Sequence, residues 1–271
     1  DELATVIFSG DTHANGRTVS QITFKSGSRL IYKPRSVDLD AQFQELLAWI
    51  NKAEETLPHR ITKIVPRGRY GWVEYINPEP TKDSAEFERF YERLGSLLCI
   101  IYTLYGVDIH FENLVASGEF PIVVDLETLF HPDIDVISLK NASDIIHRRI
   151  RDSVMRVGIL PSPVIAQSGE ATFDISAMGA SVNQQAPYTV VGLENAGRDD
   201  IRITNIPGWI PSAHNRPDPE RNWPIPAKVF RNGFKQTYSA LLSSKEVLLS
   251  DCGPLVAFRN KSRRLIIRDT V

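Results

Sequence analysis

Residues 84–127 read SAEFERFYERLGSLLCIIYTLYGVDIHFENLVASGEFPIVVDLE, and this stretch decides the fold. Its first half carries apolar residues at spacings of three and four, the pattern of an amphipathic helix. These residues are Phe87, Phe90, Tyr91, Leu94, Leu97, Leu98 and Ile101. Asp83 or Ser84 can cap the start of this helix before Glu86, and Gly106 marks its end. The pattern therefore predicts the core helix of a large lobe.

The second half of the same stretch predicts a β-hairpin that joins two polar motifs. Its turn is Ser117-Gly118-Glu119, and the returning strand brings Asp125 beside Asn113. Amide and carboxylate oxygens at adjacent strand ends suit Mg²⁺, which takes few protein ligands together with phosphate oxygens. Asp108 lies on the loop that leads in, where an aspartate can orient or deprotonate an attacking hydroxyl, as in kinases. Either segment alone reads as a surface turn, but both at hairpin spacing favour a site.

The N-terminal part predicts a small antiparallel sheet with one helix. Three strands end at Lys33, and Pro34 stops the ladder there. A lysine in this position can reach ATP phosphates, as in kinase small lobes. A helix over residues 39–50 follows, and Glu45 on it is a candidate partner of Lys33. Two further strands complete the sheet, and residues 72–75 stand where a kinase would expose backbone to adenine.

The segment from Ser9 to Arg17 reads as a loop between the first two strands. A kinase would place a glycine-rich loop here, but this chain also has Asp11 and His13. A carboxylate over ATP phosphates is electrostatically unfavourable. It fits a loop that carries out further proton chemistry on a phosphorylated product, and histidine titrates near neutral pH.

These elements predict an α+β fold with two lobes similar to those of lipid kinases. The small lobe takes residues 1–80, with the antiparallel sheet, and the larger helical lobe takes residues 81–271. In the larger lobe, residues 131–225 show little regular pattern, helices are expected over residues 234–242 and 245–249, and a hairpin around Asn260-Lys261 closes the chain.

Composition narrows the classes of function. The 271 residues carry a formal net charge of −2, which gives no sign of a nucleic-acid surface. No apolar run reaches the length of a membrane span. Two cysteines are too few for a disulfide scaffold or a cysteine-rich zinc site. We expect a cytoplasmic bacterial protein. The pattern over Arg264–Val271 stops without a polar tail or a helix stop signal, which predicts a segment of a longer protein.

Six motifs, in order along nearly the whole chain, resemble the dehydratase domain of class II lanthipeptide synthetases. They are Gly10–His13 with Gly16-Arg17, Tyr32–Arg35, Gly71–Tyr75, Asp108–Asn113, Asp125–Glu127 and Arg264–Thr270. The resemblance implies a lipid-kinase-like fold and an enzyme that uses ATP and Mg²⁺. Such an enzyme phosphorylates Ser and Thr of a ribosomally made precursor peptide. It then eliminates the phosphate, which leaves dehydroalanine or dehydrobutyrine.

The resemblance also implies roles for individual residues. Positions that serve phosphorylation and the binding of ATP or metal are matched by Lys33, Asp108, His110, Asn113, Asp125 and Glu127, with Asn113 and Asp125 as metal ligands. Positions that serve elimination are matched by Asp11, His13, Arg264 and Thr270. The chemistry agrees, since the fork of Arg264 can bind two oxygens of a departing phosphate. Synthetases of this family also carry a C-terminal zinc cyclase domain, which we expect elsewhere in the parent chain.

Two other interpretations remain open. A lipid or protein kinase that stops at phosphorylation would use Lys33, Asp108, Asn113 and Asp125. It would leave Asp11, His13 and Arg264 without a role. A module that binds peptide or nucleotide without turnover would not need a magnesium pair beside a candidate base. Accumulated phosphopeptide would favour the first interpretation, and the absence of any phosphate transfer from Mg-ATP would favour the second.

Overall fold

The computed structural model describes residues 1–13, 16–132, 142–165, 172–179, 184–210, 214–221 and 223–266. It confirms the mixed α+β class: an antiparallel sheet comes first and a mainly helical region follows. The division into lobes at residue 80 stays a prediction. In the part of the chain described, no helix is long and apolar enough to cross a bilayer.

The first sheet has five strands and one helix within its sequence span. The strands are β1 (Leu3–His13), β2 (Arg17–Phe24), β3 (Arg29–Lys33), β4 (Ile64–Pro66) and β5 (Gly71–Glu74), and helix α1 (Asp38–Ile50) follows β3. Their order in the sheet is β1-β2-β3-β5-β4, with antiparallel neighbours. The three N-terminal strands and α1 are therefore found where the sequence predicts them.

Two details of this sheet correct the sequence interpretation. Strand β1 continues to His13, which pairs with Arg17 after an irregularity that begins at Ser9, so Asp11 and His13 lie on a strand. A predicted loop becomes a hairpin because pairing with β2 resumes at His13 beyond the irregularity. Strand β5 lies between β3 and β4, so backbone pairing occupies both of its edges. The expectation that residues 72–74 present free backbone to adenine is therefore wrong.

The remaining elements build the helical region. They are α2 (Ser84–Thr103), β6 (Leu114–Ser117), β7 (Phe120–Val123), α3 (Ala142–Asp152), β8 (Val164–Ile165), β9 (Thr172–Phe173), β10 (Gln184–Glu194), β11 (Arg202–Ile210), α4 (Ala227–Ser243) and α5 (Lys245–Leu249). Helix α2 starts as predicted, because the Asp83 carboxylate accepts a hydrogen bond of 2.8 Å from the Glu86 backbone NH. Glu86 in turn accepts from the backbone NH of Lys82, the residue before the cap, and so ties the incoming chain to the first turn.

Helices α2 and α4 cross in direct backbone contact through two glycines. A Cβ on Gly95 would lie 1.9 Å from the carbonyl oxygen of Phe230, and a Cβ on Gly233 would lie 1.9 Å from that of Glu92. The main core forms around α2 and reaches α1 and the β6–β7 hairpin. Its fully buried side chains include Phe43, Leu46, Ile50, Phe90, Leu94, Ile101, Ile109, Leu114, Leu126 and Leu129. This core carries the loops that hold the polar motifs.

The C-terminal half departs most from the expectation. The long hairpin of β10 and β11 and helix α3 lie in the region for which the sequence pattern predicted few elements. The expected closing hairpin is wrong: residues 254–258 form a 3-10 helix, and residues 261–266 have no regular structure. Pro254 explains the difference, because proline cannot donate to a strand ladder but suits the first turn of a helix.

Candidate functional site

The β6–β7 hairpin brings Asp125 beside Asn113, as predicted. Leu114 pairs with Val123, and the Val124 backbone NH donates to the Asn113 carbonyl at 3.0 Å. The Asn113 side-chain amide donates to the Asp108 carbonyl at 2.9 Å. Three candidate residues are thus held within one turn-and-hairpin unit by local hydrogen bonds.

Asp108 lies on this unit with a left-handed backbone, at φ 63°. Aspartate tolerates this region better than most residues, and such conformations concentrate at functional loops. Burial is the main cause that raises the pKa of its carboxyl above the usual range. The positive charges of His110 and Arg264 oppose this, whereas Asp125 and Glu127 add to it. A carboxyl with a raised pKa is better matched to accept a proton near neutral pH.

Lys33 reaches across from the end of β3 to the hairpin. Only 6% of the residue is exposed, and its ammonium donates to the Val124 carbonyl. Its Nζ lies 3.8 Å from a carboxylate oxygen of Asp40 and 3.8 Å from one of Asp125. Glu45 is exposed, so its expected pairing with Lys33 is wrong. Asp40 and Glu45 are five residues apart, about 140° around the helix axis, and only Asp40 faces the interior.

Arg35 belongs to the Tyr32–Arg35 motif, but no sequence pattern assigns it a role. Its side chain is 12% exposed and lies among three carboxylates. The guanidinium donates to Asp40 at 2.9 and 3.3 Å and to Asp125 at 2.5 Å, and its Nε lies 3.1 Å from Glu127. Burial lowers the pKa of Arg35, but these three carboxylates outweigh it and raise the pKa above that of an ordinary arginine.

The charge of Asp125 is stabilised by this cluster. Burial pushes its pKa upward, but Lys33, Arg35 and the Glu127 backbone NH together hold the pKa below its usual range. Asp125 is therefore ionised at neutral pH. An ionised carboxylate next to a lysine and an arginine is suited to bind a cation bridged to phosphate.

Arg264 joins the same cluster from the far end of the chain. Its backbone NH donates to the Glu127 carbonyl at 2.7 Å, and its guanidinium donates to the Glu127 carboxylate at 2.9 Å. The residues on either side of Arg264 also bind the segment that follows Glu127. Arg263 donates to the Phe130 carbonyl, and the Ile266 NH donates to the His131 ring. The sequence could not place Arg264 here, because the contact spans 137 residues of chain.

The other predicted site residues are placed less completely. His110 caps the short 3-10 helix of residues 111–113, because its Nδ1 accepts from the Glu112 NH at 3.3 Å. Asp11 and His13 lie at the end of β1, but their side chains are outside what the structure describes. Thr270 lies beyond the described residues. The structure therefore brings together Lys33, Asp108, Asn113, Asp125, Glu127 and Arg264.

Asn113 and Asp125 fit a magnesium ion by their donor chemistry. Asn113 uses its amide nitrogen for the Asp108 carbonyl, which leaves its side-chain oxygen as a donor, and Asp125 carries a charged carboxylate. Over the ranges described, no group of three or more His, Cys, Asp or Glu residues could hold a metal ion by itself. That pattern suits Mg²⁺, which uses one or two protein ligands with substrate phosphates.

Comparison with known proteins gives two findings. The whole chain, residues 1–271, matches the family model described as "Domain of unknown function (DUF4135)". The chain is also 31% identical, over 265 residues, to the Lacticin 481/lactococcin biosynthesis protein LcnDR2 of Lactococcus lactis subsp. lactis. This match covers 91% of the chain and 28% of that protein, so the chain spans just over a quarter of its relative. The two findings confirm, at the level of family, the resemblance predicted from the motifs.

Proposed function

The chain belongs to the family described as DUF4135, and from this premise we propose that it is the dehydratase part of a lanthipeptide-maturing enzyme. It phosphorylates Ser and Thr of a precursor peptide with Mg-ATP and then eliminates the phosphate. One observation carries this proposal: Glu127 pairs with Arg264 and also with Arg35, which binds Asp125. The residues suited to phosphoryl transfer and the one suited to release phosphate thus share one cluster.

In the first half-reaction, the hydroxyl oxygen of Ser or Thr attacks the γ-phosphorus of ATP. An O–P bond forms, the bond to the β–γ bridging oxygen breaks, and ADP leaves. Asp108 takes the hydroxyl proton, which its raised pKa favours. Lys33 offsets the charge of the ATP phosphates. Magnesium held by Asn113 and Asp125 would neutralise phosphate charge in this step.

In the second half-reaction, a base removes the α-proton of the phosphorylated residue. The Cβ–O bond breaks, phosphate leaves with the electron pair, and a carbon–carbon double bond forms. Arg264 binds the departing phosphate through its guanidinium fork. His13, Asp11 and Thr270 are the proposed partners in proton transfer and phosphate binding. Per modified residue, one ATP becomes ADP and phosphate, and the peptide loses the elements of water.

The proposal also covers the two lobes of this chain and the parent protein of which it is a part. Residues 1–80 and 81–271 act as the small and large lobes of a kinase-like fold, with Lys33 facing Asp125 between them. The chain spans 28% of the length of its relative, and ring closure belongs to a cyclase domain in another part of the parent protein.

Mass spectrometry of a Ser- and Thr-containing precursor peptide tests the proposal. The peptide is incubated with the full-length protein, ATP and magnesium, and Asp125→Asn is run in parallel. We expect the loss of one water per site with the wild type and unmodified peptide with Asp125→Asn. Phosphopeptide as the end product of the wild type would indicate a kinase without elimination. Unchanged peptide with the wild type, together with nucleotide binding, would indicate a binding module.

A further inference from the structure

Arg35 uses three different nitrogens to hold three different carboxylates. Nη1 donates to Asp40 at 2.9 Å, Nη2 donates to Asp125 at 2.5 Å, and Nε lies 3.1 Å from Oε2 of Glu127. Nη1 also donates to the Ser36 carbonyl at 2.7 Å. These contacts join α1, the segment after β7 and the loop that follows β3. A planar fork with five donors can make this set of contacts, whereas a single ammonium cannot.

Each carboxylate that Arg35 holds is bound to another cation of the site. Asp40 and Asp125 each lie 3.8 Å from Nζ of Lys33. Glu127 accepts from Arg264 with its other oxygen, Oε1, at 2.9 Å. Glu127 thus bridges two guanidinium groups with one oxygen for each. Arg35 therefore lies between the Lys33–Asp125 pair on one side and the Glu127–Arg264 pair on the other.

We propose that Arg35 is the positioning residue that aligns both half-reactions, an inference that rests on the proposed function. It orients Asp125 for phosphoryl transfer, and it fixes Glu127, and through Glu127 Arg264, for the release of phosphate. Arg35 touches neither substrate in this scheme. It acts through the carboxylates that it holds.

The physical reason is that a carboxylate with two anchors keeps one orientation. Glu127 is anchored by Arg35 at Oε2 and by Arg264 at Oε1. When Arg35 is replaced by lysine, the positive charge remains but the Nε contact is lost. Of the two partners that the structure describes for the Glu127 carboxylate, Arg264 then remains. The guanidinium of Arg264 then moves with a carboxylate that can rotate, and its aim at the leaving phosphate is lost.

The two half-reactions are measured separately on the full-length protein. Phosphorylation is followed with ATP, magnesium and the Ser-containing precursor peptide. Elimination is followed as release of inorganic phosphate from the same peptide with phosphoserine already installed. For Arg35→Lys we expect kcat to fall by about 10- to 100-fold in both assays with KM little changed, the range found when residues that orient a ligand are removed. Arg198→Met, which breaks an exposed pair with Asp200 between β10 and β11, away from the cluster, should retain both rates.

A double-mutant cycle separates positioning from a general loss of structure. In the Glu127→Gln background, Arg35→Lys should still slow phosphorylation through Asp125 but should not slow elimination further. If Arg35→Lys slowed elimination by the same factor in both backgrounds, Arg35 would not act through Glu127 and the inference would be overturned. Arg35→Lys is chosen because it keeps the positive charge among the three carboxylates, whose loss would destabilise the fold.

The wild-type result keeps the two proposals apart. If the wild type releases phosphate from the phosphopeptide and Arg35→Lys does so equally fast, the positioning role is wrong and the proposed function stands. If the wild type phosphorylates the peptide but releases no phosphate, the proposed elimination is wrong. The role of Arg35 that acts through Glu127 is then wrong as well.

Discussion

Arg264 is joined to Glu127 twice, through its backbone NH to the carbonyl at 2.7 Å and through its guanidinium to the carboxylate at 2.9 Å. The backbone bond fixes where the C-terminal segment lies, and the side-chain bond fixes where the guanidinium points. The guanidinium is about half exposed, so a phosphate can approach it from solvent. The first prediction follows from this double contact.

Replacement of Arg264 by alanine should trap phosphorylated peptide. The backbone bond to Glu127 survives the change, so only the guanidinium is lost. We expect elimination to slow by about 100-fold or more, the usual cost of removing one donor to a developing oxyanion, while phosphorylation continues. Mass spectrometry of the product peptide measures the ratio of phosphorylated to dehydrated sites. Arg263→Ala is the matched control, because the Arg263 guanidinium donates to the Phe130 carbonyl, outside the cluster. Dehydrated product at the wild-type rate from Arg264→Ala would contradict the assignment.

Asp40→Asn should destabilise the fold. Asp40 is 2% exposed and is the carboxylate on α1 that faces both Lys33 and Arg35. Without this carboxylate, the buried Lys33 and Arg35 lose one of the negative charges that neutralise them. We therefore expect the free energy of unfolding to fall by about 3 kcal/mol. Urea unfolding followed by circular dichroism measures the change. Glu45→Gln, on the exposed face of the same helix, should change it by less than about 0.5 kcal/mol. Equal effects of the two variants would show that Asp40 is not the buried partner.

Gly95→Ala should destabilise the protein although alanine favours a helix. Helix propensity alone would stabilise by about 1 kcal/mol. The new Cβ would lie 1.9 Å from the Phe230 carbonyl oxygen, and separating two packed helices costs more than that gain. We expect a net loss of about 1–2 kcal/mol in the free energy of unfolding, by the same urea assay. Glu88→Ala, at an exposed position of α2, is the control. A more stable Gly95→Ala protein would mean that α2 and α4 do not touch at this crossing.

The stability of the protein should fall as the pH drops below about 6.5, through His59. Burial, with the charge of Arg93 as a second cause, lowers the pKa of His59 to about 3. Its Nε2 lies 2.9 Å from the hydroxyl of Ser96, to which Thr237 also donates. The unfolded chain binds a proton near pH 6.5 and the folded chain does not. The contribution of neutral His59 is therefore complete above pH 6.5 and is lost progressively from there down to pH 3, at about 1.4 kcal/mol per pH unit.

Denaturant unfolding of the wild type and of His59→Gln at pH 7 and pH 5 tests this linkage. Other groups titrate equally in both proteins, so the difference between the two free energies of unfolding isolates His59. The free energy of unfolding of the wild type, relative to that of His59→Gln, should be about 2 kcal/mol lower at pH 5 than at pH 7. A difference that does not change with pH would show that His59 is accessible to protons in the folded state.

Prediction from sequence worked where neighbouring residues decide the structure. The cap at Asp83, the apolar face of α2 and the hairpin that returns Asp125 to Asn113 are each set within a few residues of chain. It failed where a distant partner decides. Strand β1 is longer than predicted because His13 pairs with Arg17 of β2 beyond the irregularity, and the acid beside Lys33 is Asp40 because α1 docks on its buried face.

Taken by itself, the sequence determined the α+β class, the core helix and the local unit of Asp108, Asn113 and Asp125, since periodicity, caps and turns are short-range properties. Only the tertiary structure decided that Arg35 binds carboxylates 5 and 90 residues away, and that Arg264 meets Glu127 across 137 residues. The reason is physical: a charge selects its partner from whatever the packed core brings within a few ångströms, and no local pattern records that choice.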